Sequence, residues 1–183
     1  MNDIVVFAEE PSGAIVARAL AHKLDLGERV LVVEHQGWGD LQTSFPRKMA
    51  HWGGEPRFIV MRDNDNADCR RLKKTLEAMI PRRVANRVKI RLVLQELESW
   101  YIGDPQALLE AGLIGDKDAA SWSKRSIFRN PDAIIHAKRK FLKATGMRGQ
   151  LELANLLGSR LEITRNLSSS FKAFVGALKW AAT

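Results

Sequence analysis

The chain has one cysteine, Cys69, and one tyrosine, Tyr101, among its 183 residues. A single thiol excludes an internal disulfide, so the fold must rest on its core, and a reducing, cytoplasmic compartment is expected. No apolar run approaches the ~20 residues needed to span a bilayer, so no membrane association is expected. The opening "MNDIVVFAEE" has no basic stretch before its short apolar one, which gives no expectation of a secretory leader. The four histidines, His22, His35, His51 and His136, form no ligand pairs with Cys69, which argues against zinc. No GxxxxGK[ST] segment is present, so an ATP site of the Walker type is excluded here. Residues 92–116 contain no lysine or arginine at all.

What is present suits a globular chain with one sizeable core: 45% apolar and 27% charged residues. The net charge of +8 is distributed in blocks. Residues 1–69 carry 7 basic and 11 acidic groups, whereas 70–91 carry 9 basic and 1 acidic. The basic-free stretch 92–116 holds 5 acids, and 117–150 returns to 9 basic against 2 acidic. Such blocks are either solvated faces or the footprint of a polyanionic partner.

Four short β-branched runs, "DIVVFAE", "RVLVVEHQ", "RFIVMRD" and "VKIRLVLQE", read as strands. Between them lie helical patterns at "PSGAIVARALAHKL" and "ADCRRLKKTLEAMI". The stretch "GWGDLQTSFPRKMAHWGGEP" reads as a long connection with one helical turn near 41–51. Strands alternating with helices predict an α/β fold with a mostly parallel, Rossmann-like sheet covered on both faces. After residue 104 the helical patterns are continuous: "DPQALLEAGL", "NPDAIIHAKRKFLKAT", "QLELANLLG" and "SSSFKAFVGALKW". The expected organisation is an α/β core over 1–104 and a helical part over 105–183 packed on it.

Acidic residues recur at the predicted strand ends: Glu9 and Glu10, then Asp63 and Asp65, then Glu96 and Glu98. In an open parallel sheet the carboxyl ends of the strands form the ligand-binding edge. Carboxylates gathered there repel one another unless a cation intervenes, and hard oxygen donors suit Mg²⁺ or Mn²⁺. The competing reading is a turn and a helix cap, and Asp68 is assigned to the start of the following helix. "DNDNADC" is not an EF-hand, because Ala67, Asp68 and Lys74 occupy the fifth, sixth and twelfth loop positions. Glu96 and Glu98, two apart on a strand, would share a face as further ligands or pair with the arginine-rich blocks. Trp100 and Tyr101 are expected to pack between sheet and helices rather than stack a base, and Phe171, Phe174, Val175 and Leu178 to form a core stripe.

A glutamate closing strand one in "FAEEPSGA", with Asp-x-Asp closing a later strand, resembles the Toprim domain of topoisomerases, primases and overcoming-lysogenization-defect nucleases. The chain is similar to a small bacterial Toprim-like family through Glu9–Ser12, Asp63–Cys69, "QELESWYIGD" at 95–104 and "SSSFKAFVGAL" at 168–178. Glu10 departs from the glycine usual at its position. The resemblance implies a metal-dependent nuclease, with Glu9 or Glu10 as acid–base and metal at Asp63, Asp65 and Glu9, with Glu96 and Glu98 as plausible extra ligands. Arg70, Arg71, Lys73, Lys74, Lys124, Arg125, Lys138, Arg139 and Lys140 would then track the phosphates of DNA or RNA. Similar proteins are often encoded beside an ABC or AAA ATPase in anti-phage systems, which implies such a partner; a homo-oligomer stays open. Two other readings are carried: a non-catalytic nucleic-acid-binding or partner-docking subunit, and a phosphatase with Asp63 as nucleophile. The last is weakened by Ala67 in place of threonine or valine.

Overall fold

The computed structural model describes every residue except 1, 2, 123, 125, 147 and 148. Four strands, β1 (Ile4–Ala8), β2 (Val30–Glu34), β3 (Arg57–Asp63) and β4 (Val88–Val93), form one sheet in the order β2-β1-β3-β4. All three pairings are parallel. Each crossover therefore carries helical structure: α1 (Pro11–Lys23), α2 (Trp38–His51), and α3 (Cys69–Ala78) followed by a 3₁₀ turn at Arg82–Arg87.

Alternation along the strands divides the interior into two cores. Ile4, Val6, Ala8, Ile59 and Met61 point to one face, where α1 and the later helices pack. Val5, Phe7, Phe58, Val60 and Ile90 point to the other, against Leu41, Phe45 and Met49 of α2 and Leu76 of α3. β1 is fully buried on both faces, as its unbroken apolar run requires.

The chain then continues through α4 (Glu98–Ile102), α5 (Pro105–Glu110), α6 (Asp116–Trp122), α7 (Ser126–Arg129), a 3₁₀ turn at Pro131–Ala133, α8 (Ala137–Thr145), α9 (Gln150–Gly158) and α10 (Ser169–Ala182). These helices bury Leu153, Leu157, Phe171, Phe174, Val175 and Leu178 in the same cluster as β1 and α1. Trp100 and Tyr101 are packed, not stacking platforms. The Trp100 ring lies edge-on to Phe171 at 5.4 Å and its Nε1 donates to Ser170 Oγ at 2.8 Å, while Tyr101 meets Phe141 at 5.7 Å. No helix among the described residues is long and apolar enough to cross a membrane.

Three sequence expectations need correction. The 37–56 connection is mostly helix, because Leu41, Phe45 and Met49 recur every four residues and bury against Phe7, overriding Pro46 inside α2. The helix expected over 130–145 is broken after Ala133, and His136 takes a left-handed φ of 57° before α8 begins. The break frees the buried Asp132 carboxylate for the start of α10: Ser168, Ser169 and Ser170 hydroxyls and the Ser170 N–H all donate to it within 3.0 Å. β4 ends at Val93, three residues before Glu96, so Glu96 and Glu98 do not lie on a strand.

Candidate active site

The strand order reverses between β1 and β3, which opens a crevice at the carboxyl edge beside those two strands. β1 ends at Ala8, opposite Met61, and β3 runs on to Asp63, opposite Val93. Glu9 is locked at this edge by its backbone: its N–H donates to Met61 O at 3.2 Å and its carbonyl accepts from Gly37 N at 2.8 Å. Pro11 then opens α1, leaving Glu10 exposed at the helix start.

The Glu9 side chain turns back across the crevice. Its Oε2 accepts from the Asp63 N–H at 3.1 Å, and its Oε1 faces Arg62 Nε at 3.6 Å. The Arg62 guanidinium lies 3.8 Å from the centre of the Trp38 ring, which helps to hold it beside Glu9. Burial pushes the Glu9 carboxyl up to about 7 against the pull of Arg62, and Asp65 and Glu10 add to the rise.

Asp63 is raised well above the carboxylate range by burial first and then by Glu9, Glu98, Asp65 and Glu10. One of its oxygens, Oδ2, accepts from Leu97 N at 3.2 Å. The loop that follows is turned by Asp65 and Asn66, at φ of 47° and 62°, a left-handed pair that short polar side chains tolerate. Asn64 fastens it: its Oδ1 accepts from Gln95 N at 2.6 Å and its Nδ2 donates to Ala67 O at 2.9 Å. Asp65 is exposed, yet partial desolvation and then Glu96 raise its carboxyl, while Arg62 and Lys138 oppose. Asp68 caps α3, accepting from Arg71 N at 2.7 Å, as expected of it.

Glu96 and Glu98 reach the edge by another route than a strand. Gln95 takes a φ of 68°, held there by Asn64, and the chain coils into α4. Glu96 Oε2 accepts from the Lys138 N–H at 2.9 Å, so this carboxylate sits at the first turn of α8. Glu98 is 3% exposed, and burial raises its carboxyl to about 7, with Glu96 and Glu10 adding and Lys138 opposing. The Tyr101 hydroxyl, buried beside Glu98 and Asp63, has no hydrogen-bond partner among the described residues.

A cavity of about 20 Å³ lies among Glu9, Glu10, Arg62, Asp63 and Leu97, room for a single water or ion. Hard oxygens under mutual repulsion in a cavity of that size fit Mg²⁺ or Mn²⁺ by chemistry. They do not form a closed cage: among the described residues no three His, Cys, Asp or Glu side chains converge on a metal-binding point.

The basic residues divide sharply. Arg70, Arg71, Lys73 and Lys74 are exposed on α3, as are Arg139 and Lys140 on α8 and Lys124 before α7. Lys138 is half-buried and close enough to Asp65 and Glu98 to oppose the rise of both carboxyls. Arg125 lies outside the described residues. Arg62, Asn64 and Asp132 were not singled out in the sequence. A lone Arg between Met61 and Asp63 carries no spacing signal, and Asn64 looks like any turn residue until its partner Gln95, just past β4, is seen.

No family model matches the sequence, and no curated protein does. Solved structures do match. The C-terminal region of the Burkholderia pseudomallei OLD protein superposes with a TM-score of 0.60 at 15% identity, covering 100% of both chains. The C-terminal region of the Xanthomonas campestris pv. campestris OLD protein gives a TM-score of 0.52 at 13% identity, over 100% of this chain and 97% of that one. The chain thus has the fold of the C-terminal regions of OLD proteins, the Toprim-like group that its motifs resemble.

Proposed function

We propose that the chain is a metal-dependent nuclease, or a related phosphoryl-transfer enzyme, acting on nucleic acid. The observation that carries this reading is the meeting of Glu9 and Asp63 from two adjacent parallel strands, joined through the Asp63 N–H and both raised in pKa, at the ligand-binding edge of the sheet. Asp63 and Asp65 would hold Mg²⁺ or Mn²⁺, with Glu9 lining the cavity beside Asp63 and Glu98 close enough to raise the Asp63 carboxyl. A divalent ion there supplies Lewis-acid polarisation of a phosphodiester. Glu9, at about 7, can release or accept a proton near neutral pH, which suits general acid–base work. Glu10 is exposed, which suits it to meet substrate. Glu96 is largely engaged with α8 and serves best as a positioning group.

Through its motif resemblance to Toprim-like proteins, the chain is proposed to work with an ATPase supplied by another chain, in an anti-phage or mobile-element setting. A second reading, a non-catalytic nucleic-acid-binding subunit, is favoured by one observation, the open arrangement of the carboxylates. The deciding experiment incubates purified protein with plasmid, single-stranded DNA and tRNA in Mg²⁺, Mn²⁺ or EDTA. Metal-dependent cutting that Asp63→Asn/Asp65→Asn abolishes, with binding kept, supports the nuclease. Binding without cutting under every metal supports the subunit.

A further inference from the structure

We infer that nucleic acid crosses the carboxyl edge from α3 to α8, over the acidic cluster, with basic turns holding phosphates on either side of it. The inference rests on the nuclease reading for what the edge does and adds where the substrate lies.

The two helices lie on opposite faces of the sheet. Leu72 and Leu76 of α3 belong to one core, and Ala137 and Phe141 of α8 to the other. Both helices nevertheless start at the acidic edge. α3 follows the Asp63–Asp68 loop directly, and the first turn of α8 is held by Glu96. Those first turns carry Arg70 and Arg71 on one side and Lys138, Arg139 and Lys140 on the other, with no acidic residue in either. A helix N-terminus is its positive end, so cations there are unfavourable for the isolated fold. Each N-terminus already has one carboxylate, Asp68 on α3 and Glu96 on α8. The two cations of the first turn of α3 and the three of α8 outnumber it, and an anion crossing that edge would meet the excess at both.

Three of the other cations of the 70–91 block, Arg83, Lys89 and Arg91, are already engaged elsewhere. Arg83 donates to the Met49, Ala50 and Trp52 carbonyls at the end of α2. Lys89 sits over the Trp180 ring at 4.3 Å, and Arg91 donates to Ala173 O at 2.9 Å. On α3, by contrast, four exposed cations face one acid within the helix, Glu77, 3.9 Å from Lys73, and the Asp68 cap at its start. A face that was merely solvated would interleave its charges.

The test measures binding of the full chain to a labelled 20-base-pair duplex by fluorescence anisotropy in EDTA, from 50 to 200 mM salt. Arg70→Ala/Arg71→Ala and Arg139→Ala/Lys140→Ala should each flatten the log–log salt slope by about 1.8, two duplex phosphates' worth, and together by about 3.6. Melting temperatures should hold or rise, and Lys172→Ala, on the exposed side of α10, should change nothing. The path is overturned if only one pair, or neither, alters the slope. It is also overturned if polyglutamate of equal charge competes as well as the duplex, which would assign the turns to an acidic protein. Wild type that cuts while both pairs leave the slope untouched removes the path and keeps the nuclease. Wild type that binds through both pairs but never cuts in Mg²⁺ or Mn²⁺ removes the nuclease and keeps the path.

Discussion

Glu9 and Asp63, 54 positions apart in sequence, are joined by a 3.1 Å hydrogen bond from the Asp63 N–H to the Glu9 carboxylate. The bond ties the Glu9 side chain across the carboxyl ends of β1 and β3, near enough for Glu9 to raise the Asp63 carboxyl. Neither ionises freely there: burial and mutual repulsion both oppose it.

A divalent cation should therefore stabilise the protein. At a hundred times its Kd, Mg²⁺ or Mn²⁺ adds about 2.7 kcal/mol by mass action, roughly 5–10 °C in a chain of this size. Asp63→Asn should abolish that shift in thermal melts and leave the apo protein at least as stable. Its side chain keeps an acceptor for Leu97 N and loses a repelling charge. A large loss of apo stability in this variant would make Asp63 a structural residue.

The same carboxyls give stability a sign with pH. Glu9 and Glu98 rise from 4.5 to about 7 on folding, so the native state binds more protons than the unfolded chain between those values. Their contribution is fully present below pH 4.5 and is lost as pH climbs through 7. In EDTA, melting temperature should fall between pH 5 and 8, and Glu98→Gln should flatten the fall. Saturating Mg²⁺ should oppose it, because the ion stabilises the ionised carboxylates. A melting temperature that rises over this range in EDTA would contradict the assignment.

Asp132 should matter to the fold and not to the metal. Asp132→Ala strands three serine hydroxyls and one N–H at the start of α10, and should cost about 2–4 kcal/mol in urea unfolding. Its metal-dependent shift should survive intact. Loss of that shift in a folded variant would place Asp132 in the site.

Two glycines separate a packing constraint from a local preference. A Cβ at Gly103 would collide with Asn166 Oδ1 and crowd Ser168 N, so Gly103→Ala should destabilise by about 1–3 kcal/mol. A Cβ at Gly176 meets nothing within 4 Å inside α10, so Gly176→Ala should stabilise by about 0.5–1 kcal/mol. Equal effects in chemical denaturation would contradict this contrast.

Where local pattern and tertiary need agreed, the structure was readable in advance. β1 and α9 fall where their apolar spacing puts them, and Asp68 caps α3 as its position suggests. Failures came where a distant partner decided the backbone. Leu94 and Leu97 prolong the apolar pattern of β4, yet Asn64, about thirty residues earlier, pulls Gln95 into a left-handed turn. Pro46 and two glycines disguise α2, whose register is set by burial against Phe7. At the site, the carboxylates were visible because charge at strand ends is conspicuous. Arg62 was not, because its role depends on Trp38, a residue brought in by the preceding crossover.

"QELESWYIGD" has a consequence for reading other chains. Almost every position in it answers to the architecture: Gln95 makes the turn, Glu96 starts α8, Ser99 ties back to Leu94 O, and Trp100 anchors α10. Gly103 makes room for Asn166, and Asp104 caps α5 while accepting from Glu162 N and Arg165 Nε. A descendant that had lost its chemistry would still need these residues to stand up. The segment therefore diagnoses the scaffold, whereas Glu9, Asp63 and Asp65 are the positions that would report on the proposed chemistry.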